Sequence, residues 1–430
     1  MKRNSLLYIS LIIFSFAEVW GQDALPQRTL TVDDAVAIAL EKNLGLERSA
    51  LEIAGKKRAG DRYWNSLIPS VSASVGASHP SSITGSLSPE QNGWTSGVSV
   101  SASVSVSTAV IENIKKTRAD YKAGLLSHEL AKRELELQVR KLFYQILLLR
   151  ANIELASQSL ESARARYEES AALARVGQAS RLDELSARVD MENQRPKVRS
   201  AETLYANALD SFKAVLGIEQ ETELLLQGNL EYSGGVAAGE ESRNESLGES
   251  LETAALRQGI KALEAQKKAA WHEAYIPSLR LSWNANPLYR NEAWNDASGS
   301  FSISLGINLD SFLPWSVAKT QLDTLDDSIQ SSQLQLDESL RNREDRIRQY
   351  ERTINQTRET IEALALNVEL AESAYAMYGE AYRQGAADYQ SLRNAGDSLL
   401  QAKNQVQQEY YNLIAAVLDL EKELNIAFTF

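Results

Sequence analysis

The amino-acid sequence repeats itself at an offset of 208 residues, the separation between Gly177 and Gly385. Other matches at this offset are Ile-Pro-Ser at 68–70 and 276–278, Leu-Gly-Ile at 216–218 and Leu-Asn-Ile at 424–426, Arg140 and Arg348, and Tyr167 and Tyr375. Self-similarity at a fixed offset is typical of a chain built from copies of one supersecondary unit. Each half is therefore predicted to contain a helix, a strand, a loop, a second strand, a very long helix, a turn and a return helix.

Both halves contain a heptad repeat that is longer than a compact domain needs. Its seventh positions are Tyr121, His128, Leu135, Leu142, Leu149, Ala156 and Ala163 in the first half, and Leu340, Ile347, Ile354, Ile361, Val368, Tyr375 and Tyr382 in the second. A seven-residue repeat indicates helices in a left-handed supercoil. The predicted long helices cover 112–175, which would be roughly 95 Å long, and 316–383. The long helices are predicted to end at Gly177 and Gly385, where glycine allows the left-handed backbone of a reversal. Return helices follow at 180–216, with a kink at Pro196, and at 388–424.

Four short segments alternate between apolar and polar residues, which predicts strands. They lie near 70–77, 98–106, 278–285 and 301–309, and the clearest is the stretch GVSVSASVSVST at 97–108. Such strands suit a half-buried soluble sheet or a membrane barrel, in which the valines would face lipid and the serines the lumen. Since the smallest membrane barrels have about 8 strands, the second interpretation requires two, three or four copies of the chain.

The remaining segments and the composition narrow the class of protein. Residues 1–21 have the charged start and short apolar core of a secretory signal peptide. The first repeat then covers 22–218, an acidic waist segment 219–250, and the second repeat 251–430. The formal net charge of −12 disfavours nucleic acid as a partner. With no cysteine and three scattered histidines, the sequence has no pattern of metal ligands and no enzyme motif, so no cofactor is predicted.

With these features the sequence resembles the TolC family of outer-membrane efflux proteins over essentially the whole mature chain. The resemblance rests on the Ile-Pro-Ser junctions, the duplicated unit, and the tip phrases LARVGQASRLDELSARV (173–189) and AYRQGAADYQSLRNAGDSLLQAKN (381–404). It implies a mainly α protein with a membrane β-barrel: a homotrimer with a 12-stranded β-barrel on a 12-helix coiled-coil α-barrel. Such proteins lie in the outer membrane, extend into the periplasm, and are non-enzymatic exit ducts of tripartite efflux pumps or type I secretion systems.

The partners implied by the resemblance are a periplasmic adaptor (membrane fusion) protein, an inner-membrane transporter and outer-membrane lipid. The implied periplasmic gate includes Tyr382, just before the second tip, and Asp183, just after the first. The adaptor-docking tips would be formed by Arg175, Gly177, Arg383 and Gly385.

The second tip departs from the family pattern. Family members with an acidic constriction have carboxylates where this chain has Ser391 and Asn394. Asp388 and Asp397, each one turn away, are candidate substitutes in the gate, although an exposed Asp near a helix start also serves as a cap.

A second class of protein fits part of the pattern. A periplasmic coiled-coil scaffold or adaptor without a pore would use paired heptads for docking. It accounts for the long helices, but it gives no purpose to four alternating strands or to the duplication.

Overall fold

The computed structural model describes residues 28–79, 94–230, 250–286, 288–290, 293–294 and 299–428. The predicted signal peptide lies outside this range. The helices are α1 (Val32–Lys42), α2 (Leu44–Asp61), α3 (Ala109–Arg175), α4 (Arg181–Leu216), α5 (Leu251–Tyr275), α6 (Val317–Arg383) and α7 (Tyr389–Leu424). The strands are β1 (Arg28–Leu30), β2 (Ser70–Ser78), β3 (Thr95–Val106), β4 (Leu224–Leu226), β5 (Ser278–Ala285), β6 (Leu288–Arg290), β7 (Ala293–Trp294) and β8 (Gly299–Gly306). Among these residues, no helix combines the length and apolarity needed to cross a membrane.

The duplication is kept residue by residue in the helices. The two long helices α3 and α6 have 67 residues each, and the return helices α4 and α7 have 36 each. The reversals at Gly177 and Gly385 have φ of 78° and 71°, the left-handed conformation that the sequence predicts. The return helices end at a second matched pair in this conformation, Gly217 and Asn425.

Side-chain caps begin several of the helices. Thr31 and Asp34 form a capping box at the start of α1. At the start of α5, the Ser250 side chain accepts a hydrogen bond from the Thr253 backbone N–H. Helix α4 runs without interruption from Arg181 to Leu216, through the position of the predicted kink at Pro196.

The long strands form one antiparallel sheet in the order β2-β3-β5-β8. The short hairpin β6-β7 pairs with the start of β3, along the same edge of β3 that pairs with β5 further on. The register places serines opposite serines: the hydroxyl oxygens of Ser72 and Ser101 lie 2.7 Å apart, and those of Ser282 and Ser302 also 2.7 Å apart. The other face of the sheet carries valine, alanine, leucine, isoleucine, phenylalanine and tryptophan. The last strand ends at Gly306, before the predicted position 309, because Leu309–Phe312 form a 3-10 helix.

The helices below the sheet form a row. Near the strands the order is α2-α3-α5-α6, and towards the reversals it is α4-α3-α7-α6, since α3 packs on α2, α4, α5 and α7, and α6 packs on α5 and α7. The main core lies midway, where β1 and β4 pair in parallel and Phe143, Phe212 and Leu418 are fully buried. One end of the row therefore consists of β2, α2 and α4, and the other of β8 and α6.

Candidate gate at the helix reversals

The structure places the two residues of the predicted gate close together at the reversals. Asp183 is the N3 residue of α4 and forms a capping box with the N-cap residue Ser180. The Ser180 hydroxyl donates a hydrogen bond of 2.8 Å to the Asp183 carboxylate. Tyr382 is buried, and its hydroxyl donates to the Ser170 hydroxyl at 3.1 Å. Burial raises the pKa of Tyr382, and the nearby carboxylates of Asp183 and Glu169 raise it further. Each of the two side chains is therefore hydrogen-bonded to a serine: the Asp183 carboxylate accepts from Ser180, and the Tyr382 hydroxyl donates to Ser170.

The other two residues of the predicted gate, Asp388 and Asp397, are carboxylates near the start of α7 with environments that differ from each other. Asp388 is the N-cap of α7 and accepts a hydrogen bond of 2.7 Å from the Ser391 backbone N–H. Hydrogen bonds from Ser391 hold the pKa of Asp388 below its ordinary value. Asp397 is half exposed and lies 3.7 Å from the guanidinium of Arg393.

The residues of the predicted docking tips surround the two reversals. Gly177 and Gly385 lie in open space, where an added Cβ would meet no atom within 4 Å. Arg175 is in the last turn of α3, and Arg383 is in the last turn of α6, where its guanidinium lies 3.1 Å from Glu380. Both arginines are thus placed where a cation is favoured by the helix dipole.

A buried ion pair lies about two turns inside the tips. The Nη2 of Arg166 on α3 donates to the Oδ2 of Asp190 on α4 at 3.1 Å. The Asp190 side chain is 3% exposed and the Arg166 side chain 10%. Water therefore screens this pair weakly, in contrast to an ion pair on the surface.

Three residues of α6 and α7, the second hairpin, contact this ion pair. Tyr389 on α7 donates its hydroxyl hydrogen to Asp190 at 3.2 Å, and Arg166 donates to the Tyr375 hydroxyl on α6 at 3.1 Å. The Nε of Arg393 lies 3.4 Å from the other oxygen of Asp190. We call Arg166, Asp190, Tyr375, Tyr389 and Arg393 the tip clasp, because they join the α3/α4 hairpin to the α6/α7 hairpin.

The electrostatics of the tip clasp fit a permanent ion pair. Burial by itself would lower the pKa of Arg166, but its contacts with Tyr375, Tyr389 and Asp190 raise it. Burial, together with the charge of Asp190, raises the pKa of Tyr389 to about 12. The arginine therefore stays charged and the tyrosine neutral throughout the physiological range.

The tip clasp is not predicted by the sequence patterns described above, although the sequence contains one signal of it. At the repeat offset, Arg166 corresponds to Ala374 and Asp190 to Ser398. At these two clasp positions a charged residue in one repeat thus has a small, uncharged counterpart in the other. Such departures from internal symmetry indicate a contact that only one of two equivalent helix pairs makes.

The chain is similar to outer-membrane channels in both sequence and fold. A sequence profile of the outer membrane efflux protein family matches residues 39–218, most of the first repeat. No curated protein sequence matches the chain. The resemblance found in the sequence is confirmed by this profile together with the following structures.

Solved structures match both repeats. The CmeC outer membrane channel of Campylobacter jejuni has a TM-score of 0.76 at 13% identity, covering 98% of this chain and 94% of that one. The outer membrane protein VceC of Vibrio cholerae has a TM-score of 0.75 at 15% identity, covering 92% and 96%. The MtrE outer membrane channel of Neisseria gonorrhoeae, solved in its open state, has a TM-score of 0.74 at 18% identity, covering 92% and 89%.

Proposed function

We infer that the chain is an outer membrane efflux protein, and we propose that it is the passive exit duct of a tripartite efflux pump or a type I secretion system. The observation that carries the proposal is the sheet with one apolar face and one serine face, standing on two 67-residue helices. On the apolar face, Val75 is 81% exposed and Leu305 72%. An exposed apolar face opposite a hydroxyl face suits a wall between lipid and water.

The proposed assembly is a homotrimer closed by the two ends of the row. Among the described strands, β2 and β8 each have a neighbour on one side, and such open edges do not persist in hydrocarbon. If β2 of one copy pairs with β8 of the next, three copies form a 12-stranded β-barrel on a 12-helix α-barrel. The number three comes from the family resemblance, whereas the head-to-tail arrangement follows from the edges.

The helices at the two ends of the row carry matching apolar surfaces. Helix α4 exposes Leu182, Leu185 and Val189 at helical spacing, and α6 exposes Leu366, Leu370 and Met377. Exposed apolar stripes of this kind mark interaction surfaces. In a ring of copies, α4 of one copy would pack on α6 of its neighbour, which covers both stripes.

The gate is proposed at the tips. Asp183, Tyr382, Asp388 and Asp397 would form the periplasmic gate, and the tips at Arg175, Gly177, Arg383 and Gly385 would dock a periplasmic adaptor that links the duct to an inner-membrane transporter. Adaptor binding would shift the population from a closed to an open aperture. The hydrogen bond from Tyr382 on α6 to Ser170 on α3 supports this assignment because it joins the two hairpins at the tips.

Single-channel recording in planar bilayers tests the proposal. Asp183→Ala combined with Tyr382→Phe is expected to raise the conductance of the resting channel. The matched control, Asp323→Ala with Tyr378→Phe, changes exposed residues of α6 and is expected to leave it unchanged. Equal conductance in both variants would remove Asp183 and Tyr382 from the gate.

The duct itself is tested by fractionation. A pore-free periplasmic scaffold would be recovered as a soluble monomer without detergent, and that result would refute the duct. Extraction from outer membranes as a detergent-soluble trimer is the expected result.

A further inference from the structure

A groove lined by cations runs between α3 and α5, directly below the sheet. Its basic residues, which we call the basic groove, are Lys115, Arg118 and Lys122 on α3 and Lys261 and Lys268 on α5. The carboxylates that line it are Glu112 and Glu264. An excess of cations in one groove stands out in a chain with a formal net charge of −12.

Most of this positive charge is not neutralised within the chain. Lys115 pairs with the buried Glu112 at 2.6 Å. The neighbouring Lys268 and His272 also help to hold the pKa of Glu112 below its ordinary value, after the hydrogen bond from Lys115. Arg118, Lys122, Lys261 and Lys268 are exposed and form no ion pair with any carboxylate in the part of the chain that the structure describes.

The groove faces the same side as exposed apolar residues next to the strands. Ile111 is four residues before Lys115 and 59% exposed, and Trp271 is three residues after Lys268 and 47% exposed. Helical spacing places each of them on the groove face of its helix. Along both helices the order away from the sheet is therefore apolar or aromatic side chain first and cation next, which is the order found where a protein passes from hydrocarbon into headgroups.

A second copy of the chain is not the occupant that this position favours. Helices α3 and α5 lie in the middle of the row, whereas the edges available to another copy are β2, α2 and α4 at one end and β8 and α6 at the other. Tryptophan side chains are enriched at the interface between a membrane and water. The lipid side of the sheet is the environment that suits both the apolar residues and the cations.

The cations nearest the strands have their backbones just beyond the depth of a headgroup layer, within reach of it through their side chains. Lys115 is six residues after the start of α3, about 9 Å along the helix, and Lys268 is about 10 Å from the end of α5. The headgroup region on each side of a bilayer is about 5–8 Å thick. Side chains on α3 tilt towards its start, so Lys115 and Arg118 lean towards the strands. Lys268 leans away from them, because α5 ends at the strands, and its long aliphatic stem covers the distance.

We propose that the basic groove binds the phosphate of an anionic phospholipid from the periplasmic leaflet of the outer membrane. Arg118 and Lys268 contact the phosphate, Ile111 and Trp271 pack against the start of the acyl chains, and Lys122 and Lys261 add long-range attraction. The bound lipid fixes how deep the sheet sits in the membrane. This inference rests on the proposed function, because it needs the sheet to be inserted.

Native mass spectrometry of the detergent-purified protein with added phospholipids tests the proposal. Phosphatidylglycerol or cardiolipin is compared with zwitterionic phosphatidylethanolamine. Arg118→Gln with Lys268→Gln is expected to weaken anionic-lipid binding by roughly tenfold or more. The matched control, Arg199→Gln with Lys197→Gln on exposed α4, removes the same charges elsewhere and is expected to bind as the unchanged protein does.

Three results in the lipid-binding measurements would overturn the proposal. The first is an equal loss of anionic-lipid binding in the groove variant and in the control variant. The second is equal binding of phosphatidylethanolamine and phosphatidylglycerol by the unchanged protein. The third is displacement of bound phosphatidylglycerol by inorganic phosphate as readily as by added lipid. A changed ion selectivity of the channel with unchanged lipid binding would place the groove in the lumen and also refute it. Failure of the unchanged protein to insert or conduct would instead refute the proposed duct.

Discussion

Replacing Asp190 with Asn should loosen the two helix hairpins at the tips. Asp190 accepts hydrogen bonds from Arg166 and Tyr389 and lies 3.4 Å from Arg393. Asn keeps the size of the side chain and one acceptor oxygen, but it removes the charge. The Arg166 guanidinium would then remain buried without a counter-charge, since its other partner is the neutral hydroxyl of Tyr375.

The size of the effect follows from the burial of the pair. Removing one partner of a buried ion pair typically costs about 3–5 kcal/mol. Because Asn retains a hydrogen bond, we take about 3 kcal/mol as the expected loss in the local opening free energy. At 1.36 kcal/mol per factor of ten, amide hydrogens around the tip clasp should exchange roughly 150-fold faster.

Hydrogen-exchange mass spectrometry of the assembled protein measures this directly, at amides of α4 near 190 and of α7 near 389. The control is Asp323→Asn, which removes an exposed ion pair with Lys319 and should change protection by less than about fivefold. A second variant, Arg166→Met with Asp190→Leu, removes both charges and should regain much of the protection. Unchanged protection in Asp190→Asn, or equal loss in the double variant, would refute the argument that an unpaired buried charge drives the opening.

Three further predictions concern the turns, the sheet and pH. Gly217→Ala should lower the melting temperature more than Gly177→Ala does: both positions have positive φ, which costs about 1–2 kcal/mol, but the new Cβ at 217 would also lie 2.5 Å from the Lys42 carbonyl oxygen. Ile303→Arg on the apolar face should reduce the yield of membrane-inserted protein, with a cost of about 2–4 kcal/mol, whereas Ser300→Arg on the serine face should not. The pKa of Tyr389 is raised from 10.0 to about 12, so the stability that its neutral hydroxyl contributes is complete below pH 10.0 and is lost as the pH rises to about 12. The difference in melting temperature between the unchanged protein and Tyr389→Phe should therefore shrink across that interval.

Periodicity made much of the fold predictable. The heptads and the alternation depend on which class of residue recurs, so they identify α3, α6 and the long strands within a few residues. Glycine chemistry located the reversals, because few other residues adopt positive φ. The start of α3 was placed at 112 and lies at Ala109, since a helix that begins at a strand exit has no distinctive cap.

The candidate site was less predictable, because it depends on tertiary contacts. The resemblance predicts Asp183 as a gate carboxylate, and the structure shows that Ser180 binds it in a local capping box. In the sequence, Asp190 has the pattern of a surface residue on a charged helix. In the structure it is buried because the α6/α7 hairpin packs over it. Burial of a charge by a distant segment leaves no period in the sequence, which is why resemblance and periodicity both overlooked the clasp.

The asymmetry of the clasp has a consequence for opening of the proposed duct. In a ring of duplicated chains, the same two kinds of hairpin meet twice: once within a chain, where α3 packs on α7, and once between copies, where α6 would pack on α4. Arg166 and Asp190, which take part in the first contact, correspond to Ala374 and Ser398 on the second. Hydrogen bonds from Tyr389 to Asp190 and from Arg166 to Tyr375 therefore join the two hairpins within each chain, and the corresponding positions between copies lack these two charged partners. Because the weaker of two equivalent contacts separates first, the tips should part between copies, with each chain's pair of hairpins moving as one body.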